Sequence, residues 1–74
     1  MADDGEDSIY LQSFGRRLAA LRVQRGLTQE QLAAASGLGP VEVRKAERGQ
    51  RDLSVIALAD IARALQMQPA DLMP

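Results

Sequence analysis

The side chains best equipped for chemistry in this 74-residue sequence are its arginines: eight of the nine basic residues are arginine and one is lysine. Four of the nine, Arg44, Lys45, Arg48 and Arg51, stand within eight consecutive positions. A guanidinium carries a planar fork of donors that matches phosphate oxygens and base edges two at a time. Catalysis has far less to work with. Cysteine and histidine are both absent, which removes thiolate nucleophiles, the commonest general base and the usual zinc ligands. No nucleophile–base constellation can be assembled from the remainder. Neither an enzyme nor a metal, another cofactor or a small-molecule ligand is expected.

The spacing of the basic cluster suits a helix. At about 100° per residue, Val43, Ala46 and Glu47 fall on one side of the segment, while Pro40, Val41, Arg44, Lys45 and Arg48 fall on the other. Glu42 lies at the border. The first side is small and apolar enough to pack; the second is open and mostly cationic. In a DNA major groove, Arg44 or Lys45 can contact guanine O6 and N7, Val41 can meet a thymine methyl, and Glu42 can accept from cytosine N4. Glu42 can equally serve the helix dipole from the first turn. Pro40 has no donor to offer.

Charge along the chain supports a polyanionic partner. Asp3, Asp4, Glu6 and Asp7 place four negative charges in the first seven residues, and from Leu11 onward nine basic side chains outnumber six acidic ones. The formal net charge of −1 therefore hides a mildly basic domain behind an acidic segment. Residues 1–7 are expected as a disordered tail and residues 8–74 as one domain. An apolar content of 46% suits a folded helical domain. The N-terminus does not resemble a signal peptide and no apolar run approaches membrane-spanning length, so a cytoplasmic location is expected.

Local punctuation places the elements that must hold the basic face. Phe14, Leu18 and Leu21 recur at helical spacing, and Gly26 stands where a left-handed residue would end that first helix. Thr28 with Gln31 makes a capping box and Leu27 with Leu32 a hydrophobic staple, which predicts a second helix from about Thr28 to Ser36, stopped by Gly37. Gly39 as N-cap and Pro40 at the first helical position start a third helix that Gly49 closes. Ser54 caps a fourth, with Leu53 and Leu58 at staple positions and an apolar stripe of Val55, Leu58, Ile61, Ala62 and Leu65. Pro69 is predicted to start a short fifth helix containing Leu72. Valine and isoleucine never alternate as a strand requires. The expected fold is all-α, with five short helices.

The run from Phe14 to Leu72 resembles the lambda-repressor-like helix-turn-helix family of bacterial and phage regulators. Leu21, Arg22, Gly26, Leu27, Thr28, Gln29, Leu32, Ala33, Gly37, Val43, Glu47 and Gly49 carry the likeness, followed by Leu58, Ile61, Ala62 and Leu65. The stretch ERGQRDLSVIALADIARAL is further similar to controller proteins of restriction–modification systems, which are small dimeric activator-repressors. The resemblance implies a compact domain whose second and third helices form the helix-turn-helix, in a bacterial or phage-encoded protein associated with the nucleoid when bound. It implies an ion pair between Arg22 and Glu47 that links the first helix to the third. It implies a phosphate contact by Gln29, helped by the helix start at Thr28, and backbone contacts by Arg48, Gln50 and Arg51. Asp52 stands where controller proteins usually have asparagine, and Pro40, Val41 and Glu42 replace polar or aromatic residues.

A module with few base readers needs a second copy, and helix-turn-helix proteins usually bind as dimers on half-sites about one helical turn apart. Val55, Ile56, Met67 and Leu72 supply apolar surface for a two-fold interface, whereas Leu58, Ile61 and Leu65 are expected in the monomer core. Two functions follow for comparison. The first is a homodimeric regulator that binds double-stranded operator DNA with the third helix in the major groove. The second is a helical protein-interaction module that keeps the fold with little sequence-specific reading of DNA.

Overall fold

Capping chemistry sets the helix boundaries. The computed structural model describes residues 5–73, with side chains from residue 9. It contains α1 (Gly5–Gln24), α2 (Gln29–Ser36), α3 (Pro40–Glu47) and α4 (Val55–Ala64), then a 3₁₀ turn, Pro69–Leu72. No described residue is in a strand. α1 begins within the expected acidic tail, which is thus helical from residue 5; residues 1–4 lie outside the described residues. The capping box at α2 forms in both directions: Gln31 N–H donates to Thr28 Oγ1 at 3.0 Å, and Thr28 N–H donates to Gln31 Oε1 at 2.9 Å. Gly39 is the N-cap of α3 with Pro40 in its first turn, and Ala57 N–H donates to Ser54 Oγ at 3.0 Å to start α4.

All four helices end on a left-handed residue: Gly26, Gly37, Gly49 and Gln66. The following N–H reaches back five residues in each case, as in Leu27 to Arg22 and Met67 to Ala62. Gln66, at φ +61°, is the one that is not glycine and carries the steric cost of that conformation.

The core comprises Phe14, Leu18, Leu32, Ala33, Val43, Ala46, Ile61, Ala62, Leu65 and Leu72. Fully burying each large member stabilises by about 1.5–3 kcal/mol relative to leaving it in water. α3 packs between α1 and α2, α2 also packs on α4, and the 3₁₀ turn closes on α4 and α1. Leu27, Leu53 and Leu58 pack against this core at their staple positions. Ser36, a buried polar residue, donates to the Leu32 carbonyl at 2.8 Å.

Three expectations need correction. The fifth helix is a single 3₁₀ turn, so the described residues contain four α-helices. The bonds from Asp71 N–H to Gln68 and from Met73 N–H to Ala70 tighten it. That turn drives Leu72 into the core at 0% exposure, which removes it from any interface, and Met67 is half-buried against the same core. Val55 leaves the predicted α4 stripe: in the first turn and at the stripe's edge, it is 81% exposed.

Gly15 explains how α1 and α3 approach so closely. A Cβ at Gly15 would stand 2.5 Å from the carbonyl oxygen of Glu47 and 2.6 Å from that of Ala46. Gly49, at φ +75°, meets α1 one turn earlier, where a Cβ would lie 2.9 Å from the Cα of Gln12. Backbone oxygens cannot swing aside as a flexible side chain can. Gly15→Ala should therefore force the two helices apart and cost about 1–3 kcal/mol. Thermal unfolding reads this as a fall of roughly 4–8 °C per kcal/mol for a domain of this size. An unchanged melting temperature would contradict the contact.

Candidate nucleic-acid interface

The end of α3 is fixed by a node that joins three helices. Arg22, in the last turn of α1, donates from Nε to Glu47 Oε2 at 2.5 Å and from Nη2 to Glu47 Oε1 at 3.1 Å. Its Nη1 donates to the Leu27 carbonyl at 2.8 Å, tying in the turn before α2. Gln29, at the start of α2, donates from Nε2 to Glu47 Oε1 at 3.0 Å. The side chains of Arg22 and Glu47 are only 15% and 6% exposed. The hydrogen bond to Glu47 holds the Arg22 guanidinium above its ordinary pKa range, against the opposing effect of burial. On the alkaline side, a raised value means that this contribution is fully present below the unfolded arginine's pKa and is lost as pH rises through the folded one.

With that side locked, the opposite side of α3 is presented outward. Val43 and Ala46 are buried, as their face predicts, while Pro40, Val41, Lys45 and Arg48 are exposed and Arg44 is half-buried. Thr28, Gln50 and Arg51 are exposed as well. Two of the expected contact residues form an ion pair with each other: Arg51 Nη2 lies 3.2 Å from Glu42 Oε2. Glu42 also closes the helix start, where Gly39 N–H donates to its Oε1 at 3.2 Å. Gln29, expected at a phosphate, is held by Glu47, although its amide keeps a second N–H.

Other arginines serve the fold. Arg17 Nε donates to the Asp71 carbonyl at 2.8 Å, and Arg25 Nε donates to the Leu65 carbonyl at 2.7 Å. With Arg22, they turn two α1 cations and one in the turn just after it into ties to later parts of the chain. Sequence reasoning missed these roles because an arginine's carbonyl partner, 40 or 54 positions away, leaves no local pattern. It also missed Gly15, for which a signal existed: a glycine inside a helical period with no cap to form.

Of the expected interface residues, Val55 and Ile56 remain exposed, at 81% and 75%. They adjoin in the first turn of α4. Among the described residues, no helix is long and apolar enough to cross a membrane.

The helix-turn-helix family model HTH_3 matches residues 18–72. The chain is 40% identical over 58 residues to an uncharacterised HTH-type transcriptional regulator, y4dJ, of Sinorhizobium fredii strain NGR234, covering 78% of this chain and 75% of that relative. The fold is similar to the restriction-modification controller protein C.AhdI of Aeromonas hydrophila, with a TM-score of 0.84 at 44% identity over 85% of this chain and 96% of the other. It is also similar to the clp gene regulator ClgR of C. glutamicum, with a TM-score of 0.81 at 32% identity over 85% and 81% of the two chains.

The node generates a stability prediction. Glu47→Ala strands a mostly buried guanidinium without its counter-ion and should cost about 3 kcal/mol, near the lower end for a broken buried pair. Glu47→Gln keeps a neutral acceptor and should lose less. Urea midpoints measure both, and a loss below about 1 kcal/mol for the alanine variant would place the pair among weak surface bridges.

Proposed function

The chain belongs to the HTH_3 helix-turn-helix family, and from that premise we propose a sequence-specific regulator of transcription that binds operator DNA as a homodimer with α3 in the major groove. One observation carries this reading. The helix whose inner side is clamped by Val43, Ala46 and the Glu47 node turns Arg44, Lys45 and Arg48 outward. Arg44 and Lys45 then take base edges, with Val41 against a thymine methyl and Glu42 available as an acceptor. Thr28, Gln29, Arg48 and Gln50 take the phosphate backbone, from the start of α2 and the loop after α3. The protein acts in the cytoplasm, at the nucleoid, without a small-molecule ligand. Most of the affinity comes from phosphates and falls steeply with salt.

Arg44→Ala should relax sequence preference and cost about 1–3 kcal/mol on the preferred site, measured by competition against random duplex. A uniform loss on all sequences would confine Arg44 to phosphate. No affinity for any duplex at low salt would favour the alternative, a helical interaction module.

The dimer is proposed to form across Val55 and Ile56. A two-fold axis makes one patch meet its own copy, so each exposed side chain is used twice. Ile56→Asp places a charge in that patch, near a helix start where acid is tolerated. It should give a monomer by sedimentation and weaken binding to a two-half-site operator by at least about tenfold, since linked half-sites gain 10²–10⁴ from avidity. A wild-type monomer at tens of micromolar would contradict the interface.

A further inference from the structure

We infer that Arg51 acts on Glu42 rather than on phosphate, holding its carboxylate as a fixed acceptor for the exocyclic amine of a base in the major groove. The inference rests on the DNA-binding function proposed above. Glu42 lies in the first turn of α3, at the border of its exposed face. Each of its oxygens has one protein neighbour of opposite polarity: Gly39 N–H donates to Oε1, and the Arg51 guanidinium pairs with Oε2 through Nη2, both at 3.2 Å. A carboxylate offers about four lone-pair directions, so capacity remains on both oxygens.

An uncompensated carboxylate here would repel the DNA backbone. Paired with Arg51, it contributes no net charge to that field, and the arginine's charge is likewise spent. With side chains 50% and 39% exposed, the pair does little for the stability of the fold. Its consequence is orientation: one N–H donor and one guanidinium, from different segments, hold the carboxylate in place. Bases that offer a major-groove donor are cytosine, through N4, and adenine, through N6; guanine and thymine offer acceptors and a methyl. The chemistry therefore selects cytosine or adenine at one position of each half-site.

The test selects bound duplexes from a random pool with the wild type, Glu42→Ala, Arg51→Ala and Arg51→Lys, each checked for an unchanged helical melt. The wild type should favour cytosine or adenine at one position by about tenfold, as one good base contact allows. Glu42→Ala should abolish that preference. Arg51→Ala should reduce it at the same position and nowhere else, and Arg51→Lys should restore part of it. In the Glu42→Ala background, Arg51→Ala should alter no base preference.

Other outcomes overturn the inference. If Arg51→Ala weakens binding equally on all sequences and flattens the salt slope by about one unit, Arg51 is a phosphate contact. If Glu42→Ala changes a guanine or thymine preference, or none, Glu42 is not an acceptor for a base. Failure of the wild type to bind DNA at all overturns the proposed function itself, and this inference with it.

Discussion

The Arg22–Glu47 pair is the joint on which the placement of α3 depends. Its guanidinium reaches the last residue of one helix and the carbonyl before another, and the carboxylate also takes the Gln29 amide. The end of α1, the start of α2 and the end of α3 thus meet at one point. Desolvation offsets much of what such a pair gains, so its importance is geometric more than energetic. Gly15 and Gly49 make the complementary contact by letting α1 lie against the backbone at the end of α3. Clamped from both sides there, α3 has little freedom to roll.

This placement divides the basic residues into two populations with different physics. Arg17 and Arg22 of α1, and Arg25 in the turn after it, reach carbonyls and a carboxylate of later segments. Each commits at least its Nε donor to the fold, adding a tie that so small a core could not supply by burial alone. Arg44, Lys45 and Arg48 have no such ties among the described residues. Counting charge over the whole chain mixes the two groups, so the basic balance after residue 10 overstates what faces a polyanion.

What was legible in the sequence was local. The Thr28–Gln31 box and the Ser54 cap involve partners three residues apart, and Pro40 after Gly39 acts through its own fixed φ, so residue types alone specify them. The two faces of α3 were legible because one helical period sorts them. The Arg22–Glu47 pair came from family resemblance, since residues 25 positions apart carry no physical mark of contact. Leu72 was misplaced because apolar character alone cannot tell a core residue from an interface residue. The 3₁₀ turn that swings it inward depends on packing against α4 and α1. Gln66 left no signal for the end of α4, as its left-handed backbone is imposed by the turn and not by the residue type.

The first turn of α3 carries few donors for a base, and the structure gives this a physical sense. Pro40 removes one backbone donor and Glu42 satisfies another, so the backbone of this turn has no free donor at these positions. In the proposed complex, cationic contact is then left to Arg44 and Lys45, farther along the helix and on long, flexible side chains. Flexible donors discriminate poorly unless the helix bearing them is held in one orientation, because any roll displaces their tips most. The Glu47 node supplies that restraint at the far end of α3, and the Gly39–Glu42–Arg51 contacts supply it at the near end. A helix fixed at both ends can read with few residues.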